Sequence, residues 1–339
     1  MITVENLTKD YGKTRAVDNL SFSVRPGAVT GFLGPNGSGK STTMRCIVGL
    51  DRPTSGRAMI GGTEYRNLAS PLTAVGALLD GKAFHPGRTA RQHLRVVAKT
   101  HGFPHERVDE VIGFTGLESV AGKKIKGFSL GMGQRLGIAT ALLGDPQVLI
   151  LDEPVNGLDP DGVRWVRSTM RSLAAEGRSV LVSSHLMSEM ALTADDLVII
   201  GRGRLIDSGP ISKFTESDRG ARVRVSGPDM ATIRGLLTQA GWQVYDVAPS
   251  HSSPRSSFEL PGLRREQVGH YLYQHNVEIH ELTEIHSTLE DVFMELTSDQ
   301  VQFSSARGPS SGFAPMSPTP PGPVPPTPPA PPAHTTWEA

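Results

Sequence analysis

The sequence has a single cysteine, Cys46, in 339 residues, which excludes an intramolecular disulfide and a cysteine-ligated zinc cluster. A reducing, cytoplasmic setting is the simpler expectation. Cys46 falls in Thr42-Thr43-Met44-Arg45-Cys46-Ile47-Val48, where a small buried hydrophobe is expected rather than a reactive thiol. There is also no apolar run near the ~20 residues that span a bilayer. The chain opens directly into Ile2-Thr3-Val4 with no signal peptide legible, so action at a membrane would require a partner. Neither charge is in excess: 34 Lys+Arg stand against 34 Asp+Glu, and no nucleic-acid partner is expected from so neutral a balance. The charge is unevenly placed, with 26 basic and 20 acidic residues in 1–215 but 8 and 14 in 216–339, and no lysine after Lys213. The two regions are built for different surroundings.

What is present begins with Gly34-Pro35-Asn36-Gly37-Ser38-Gly39-Lys40-Ser41, a full match to the phosphate-binding loop G-x-x-x-x-G-K-[ST]. Its glycines let successive N–H groups converge on a polyphosphate, and a helix starting near Ser41 adds its positive N-terminal end. Lys40 would reach the β- and γ-phosphates, and the Ser41 hydroxyl would sit on Mg²⁺. Gly34 through Ser41, with Thr42 behind them, form the expected phosphate-binding set. The context fits, because Ala28-Val29-Thr30-Gly31-Phe32-Leu33 reads as a buried strand before the loop.

Along the chain, residues 2–6 and 20–24 alternate apolar and polar side chains and predict an antiparallel β region. Val75-Gly76-Ala77-Leu78-Leu79 is a short strand closed by Asp80, and from Thr89 to about Gly144 the apolar spacing becomes helical. Ser129 is placed to cap the helix that resumes at Leu136–Leu143. Val148-Leu149-Ile150-Leu151 then runs into Asp152-Glu153-Pro154, followed by a helix over 161–176, a strand over 179–184, His185, a helix, and strand Leu197–Ile200. Strands alternating with helices predict a mostly parallel sheet covered on both faces. After residue 215 the pattern predicts a small α+β unit: a strand from Ala221, helices near 229–240 and 264–274, strands near 242–247, 258–260 and 278–280, and an amphipathic helix at 287–296. Residues 303–339 hold 12 prolines and should stay disordered with extended polyproline character. Their Pro-x-x-Pro spacing would suit a proline-reading partner.

A buried strand ending in two carboxylates suits phosphoryl transfer. Asp152 would contact Mg²⁺ through water, and Glu153 would act as general base on the attacking water. Adjacent strand residues point to opposite faces, so both can reach one crevice only if the backbone turns at the strand's end.

With these residues assembled, the sequence resembles the ATP-binding cassette (ABC) family over about 1–215. The resemblance rests on Tyr11, the loop 34–41, the glycine-interrupted Gly127–Arg135, Leu149-Ile150-Leu151-Asp152-Glu153-Pro154, Gly157-Leu158-Asp159-Pro160 and Ser184-His185, in that family's order. It implies a P-loop NTPase fold of mixed α/β class, with an antiparallel β region and a helical subdomain at about 82–144. It implies that Tyr11 stacks on adenine and Val17 packs against the ring or ribose. It also implies that Ser129 and Gly131 touch the γ-phosphate of the opposite subunit, that Asp159 lines the dimer interface, and that His185 bonds the γ-phosphate. Departures are present. The family signature Leu-Ser-Gly-Gly-Gln is represented by Phe128-Ser129-Leu130-Gly131-Met132, and Asp80 stands where the family places glutamine. A carboxylate at Asp80 still binds a metal-linked water but donates no amide hydrogen bond.

Residues 288–297, the Ser129–Met132 variant and Val75–Asp80 with His85-Pro86-Gly87 resemble the ATPase subunits of bacterial drug and antibiotic exporters. The expectation is an ATPase domain at 1–215, an accessory α+β domain at 216–300 and a proline-rich tail at 301–339. Such a subunit would dimerise, with itself or a related ATPase, on the cytoplasmic face of a membrane and energise export through a separate permease. The alternative is a soluble ABC-type ATPase of translation or DNA repair. Those relatives usually carry two cassettes, a long coiled coil or zinc-binding cysteines, none of which the sequence displays.

Overall fold

The computed structural model describes residues 1–80, 84–215, 222–247, 256–285 and 288–297. The chain starts with a long hairpin, β1 (Ile2–Tyr11) and β2 (Thr14–Val24), turned at Gly12. β3 (Ala28–Leu33), wholly buried, leads into α1 (Lys40–Ile47), and β4 (Ser55–Ile60) returns to pair with β1. A short α2 (Pro71–Ala74) precedes β5 (Val75–Leu78). Three helices follow: α3 (Ala90–Thr100), α4 (His105–Phe114) and α5 (Leu130–Leu142). α3 opens on a capping box in which Thr89 and Gln92 exchange bonds, and α5 opens on Ser129, whose hydroxyl accepts from Met132 N at 3.2 Å. The expected start of the helical subdomain, at about 82, lies outside the described residues.

β6 (Val148–Asp152), α6 (Pro160–Ala175), β7 (Ser179–Ser183), α7 (Met187–Thr193), β8 (Asp196–Gly201), β9 (Arg204–Pro210) and α8 (Ser212–Thr215) complete this part. Six strands lie in the order β5-β6-β7-β3-β8-β9, parallel except for β9. Side chains alternate between the faces, as the pleat requires. Val29, Leu33, Leu149, Leu151, Val180 and Val182 enter one core with α3–α7, whereas Phe32, Ile150, Leu181 and Val198 enter the other with α1 and the antiparallel sheet β2-β1-β4. Burial on both faces explains why these strands read as unbroken apolar runs. Strand β9 was not expected. Its residues are half-exposed and Pro210 ends it, and Arg202 and Gly203, at φ 47 and 80, make the two-residue turn that folds it back on β8.

Beyond residue 221 the order is β10 (Arg222–Ser226), α9 (Met230–Gln239), β11 (Tyr245–Val247), β12 (Ser257–Pro261), α10 (Arg265–Gln274) and β13 (Glu281–Ile285). The sheet is antiparallel in the order β11-β12-β10-β13, a split β-α-β arrangement. Its own core joins Val223, Val225, Phe258 and Leu260 to Ile233, Leu237, Val268 and Leu272. The last strand lies at 281–285 instead of 278–280. Val277 and Ile279 are drawn off to pack on this core from a loop, and the ladder with β10 starts only at Ser226↔Glu281. The final helix, α11 (Leu289–Thr297), behaves differently: Leu289 and Phe293 are buried in the first core, with Met187 and Met190 of α7 and with Phe214. The junction near 216 and the proline-rich tail lie outside the described residues. Among those described, no helix is long and apolar enough to cross a membrane.

Candidate functional site

β3 ends at Leu33 and the chain enters the glycine-rich loop at the C-terminal edge of the parallel sheet, where ligands of such sheets bind. Gly39 has φ 101, and a Cβ there would lie 2.5 Å from the Ala16 carbonyl oxygen, so no other residue fits. Lys40 is buried, and its ammonium donates to the carbonyls of Gly34 at 2.6 Å and Pro35 at 3.2 Å. Desolvation lowers its pKa below the ordinary lysine value, against the opposing pull of Glu153 and Asp152. The Ser38 hydroxyl, in a residue 3% exposed, has no hydrogen-bond partner among the described residues. A buried hydroxyl left so at the wall of a cavity suits an incoming phosphate oxygen.

Opposite the loop, β6 and β7 run side by side and pair Asp152 with Ser183. Glu153, just past the strand, has φ 49. This left-handed turn is costly for a non-glycine residue, and it brings both carboxylates to one cavity. Ser183 Oγ donates to Asp152 Oδ1 and accepts from the Glu153 N–H at 3.0 Å. His185 Nδ1 lies 2.7 Å from Glu153 Oε2, so this nitrogen carries the proton that the carboxylate accepts. The cavity measures about 610 Å³. Asn36 to Thr42 form one wall, and Asp80, Asp152, Glu153, Asn156, Leu130 and Gln134 form the other.

The remaining expected residues are placed less directly. Val17 is fully buried beneath the loop, 3.5 Å from where a Gly39 Cβ would stand, and its neighbour Ala16 lines the cavity instead. Tyr11, at the end of β1, is 46% exposed and stands beside Thr42. Its hydroxyl donates to Asp51 at 2.7 Å, Arg45 holds the same carboxylate, and Lys9 lies 4.8 Å from the ring centroid. Ser129 and Asp159 both spend their side chains on helix caps, Asp159 by accepting from Gly162 N at 2.8 Å. Gly131 packs close to Leu158. None of these three lines the cavity of its own chain. Sequence reasoning did not find Ser183, Gln134, Asn156 or Ala16 as lining or supporting residues. Ser183 adjoins Ser184-His185, and only the pairing of β6 with β7 distinguishes it.

Residues 17–156 match a family model described as ABC transporter, and residues 221–290 match one described as a domain of unknown function. The ABC transporter ATP-binding protein YhcH of Bacillus subtilis (strain 168) is 37% identical over 307 residues, 88% of this chain and 96% of that one. The chain belongs to the ABC transporter ATP-binding family. The bacitracin transport ATP-binding protein BcrA of Bacillus licheniformis is 34% identical, over 87% of this chain and 97% of that one. A solved ATP-binding subunit of an ABC transporter superposes with a TM-score of 0.58 at 26% identity, covering 63% of this chain and 91% of its own. Membership makes the chain an ATP-binding ATPase.

Proposed function

We propose that this chain is the ATPase subunit that energises export of a drug or other small or lipophilic compound through a separate membrane permease. The observation that carries the proposal is the convergence of loop 34–41, Asp152, Glu153 and His185 at one sheet edge. The export branch is supported by BcrA, a bacitracin transport protein aligned over nearly its whole length. That alignment favours transport over the alternative in translation or DNA repair. The chain would sit at the cytoplasmic face of the membrane, peripheral, on the permease. Nothing supports a proline-reading partner for the tail.

In this reading ATP lies with its phosphates on the N–H groups of 36–42 and its adenine toward Tyr11. Lys40 exchanges the Gly34 and Pro35 carbonyls for phosphate oxygens. The residues present also fit Mg²⁺, because Ser41, Asp152 and Asp80 line the cavity with hard oxygen donors. Among the described residues no cluster of three or more His, Cys, Asp or Glu forms a cation cage, so most ligands would come from phosphate and water. When bound, Mg²⁺ neutralises charge on the transferring phosphoryl group. Glu153 takes the proton of the attacking water, and His185 orients Glu153. Ser129, Gly131 and Asp159 do not line their own chain's cavity, which suits a dimer in which each chain completes the other's site. ATP then favours the closed dimer, and hydrolysis removes that preference.

The test is MgATP hydrolysis by the purified chain. Glu153→Gln should keep ATP binding and lose at least ~10²-fold in kcat, and Lys40→Ala should lose binding. Wild-type turnover in both variants would overturn the catalytic assignment.

A further inference from the structure

We infer that Ser183 is a positioning residue of the hydrolytic site, its hydroxyl binding the Asp152 carboxylate and the Glu153 backbone into one unit. The inference deepens the proposed function and rests on its assignment of Asp152 to the metal side and Glu153 to the water side.

Ser183 is the last residue of β7 and 0% exposed. Its Oγ bonds in both directions, as donor to Asp152 Oδ1 and as acceptor from Glu153 N at 3.0 Å. One hydroxyl therefore sets the carboxylate's rotation and anchors the backbone where it enters the left-handed turn, φ 49. From the other side, His185 Nδ1 holds the Glu153 carboxylate. The two acidic groups share a frame whose fixed point is the β6–β7 register.

Neighbouring serines show that burial alone does not produce this. Ser184, also 0% exposed, points the other way and accepts from Leu186 N at 3.0 Å, shaping the turn that carries His185. Ser179 begins the same strand on the same side, 1% exposed, and its hydroxyl has no partner among the described residues. Ser179 fills space, whereas Ser183 uses its donor and an acceptor on the site's two acids. Alanine at 183 would free the Asp152 carboxylate to rotate and leave the Glu153 N–H without its acceptor. A buried hydrogen bond to a charged group is worth roughly a ten- to hundredfold effect when lost.

The experiment uses the full chain and two readouts. Mn²⁺ replaces Mg²⁺ so that its binding, with a non-hydrolysable ATP analogue, is followed by electron paramagnetic resonance. Steady-state hydrolysis is measured in parallel, and nucleotide binding is measured in EDTA. Ser183→Ala should weaken Mn²⁺ about tenfold and lower kcat about tenfold, with KM for ATP and metal-free nucleotide binding within twofold of wild type. Ser183→Cys, near in volume but a weak donor, should show the same metal defect and serves if the alanine variant fails to fold. Ser183→Thr should recover most of both. Combined with Asp152→Asn, Ser183→Ala should add little, since both act through one carboxylate. If Asp152→Asn weakens Mn²⁺ while Ser183→Ala and Ser183→Cys leave it unchanged, the inference is wrong and the metal assignment stands. If Asp152→Asn itself leaves Mn²⁺ affinity unchanged, the metal assignment fails, and this inference with it.

Discussion

Phe293 carries the contact by which the last helix joins the ATPase core. It is 7% exposed and packs in the cluster that holds Met187 and Met190 of α7. Phe293→Ala removes about 120 Å² of buried apolar surface, and at ~25 cal/mol/Å² this amounts to about 3 kcal/mol. Phenylalanine-to-alanine changes in cores cost roughly 3–5 kcal/mol once cavities are included. The low end is expected here, because the outer side of α11, with Glu290, Asp291 and Met294 exposed, lets the helix settle inward. Urea unfolding followed by tryptophan emission is the assay, with Trp165 in α6 reporting the first core and Trp242 the core of the C-terminal sheet. At a slope of about 3 kcal/mol/M, the midpoint should fall by about 1 M. Met294→Ala, at a residue 58% exposed, is the control and should stay within about 0.5 kcal/mol of wild type. Because α7 begins two residues after His185, Phe293→Ala should also lower kcat with KM for ATP unchanged. A loss below about 1 kcal/mol, or an equal loss in Met294→Ala, would show that α11 does not dock through this face.

Burial pushes the Cys46 thiol up to about 11, so iodoacetamide should leave it unmodified at pH 8 in the folded chain and label it fully in urea, as read by mass spectrometry. Asp51 is held below the usual carboxylate range by Arg45 first and Tyr11 next. Its folded pKa lies below the unfolded one, so its contribution is complete above the ordinary carboxylate pKa and disappears as pH falls through the lowered value. Acid titration of thermal stability should show that loss in the wild type and not in Asp51→Asn. If Tyr11 stacks on adenine, Asp51→Asn should also raise KM for ATP a few-fold at unchanged kcat.

Much of the site was legible because its parts are local in the chain. Gly34 to Ser41 are eight contiguous residues that spell the loop, while distant segments hold its shape: the Ala16 carbonyl excludes a side chain at Gly39, the Ile200 carbonyl excludes one at Gly34, and Gly203 N donates to Ser38 O at 2.9 Å. Four apolar residues before Asp152-Glu153 marked both the buried strand and the position of its carboxylates. Val17 was harder: strand alternation predicts two faces but not which one meets the ligand, and packing placed Val17 inward and Ala16 at the cavity. β9 escaped notice because a half-exposed edge strand has neither an apolar run nor clean alternation.

The sequence by itself determined the glycine-rich loop between strand and helix, the acidic pair at a strand's end, the alternation of strands with helices and the family, since each is written in contiguous residues or a short period. Only the tertiary structure decided that Ser183 rather than Ser184 meets the acids, that β10 lies between β12 and β13, and that Phe293 joins the ATPase core instead of the domain preceding it. Those outcomes depend on register and packing between segments far apart in the chain, where a one-residue shift would turn each strand side chain to the opposite face.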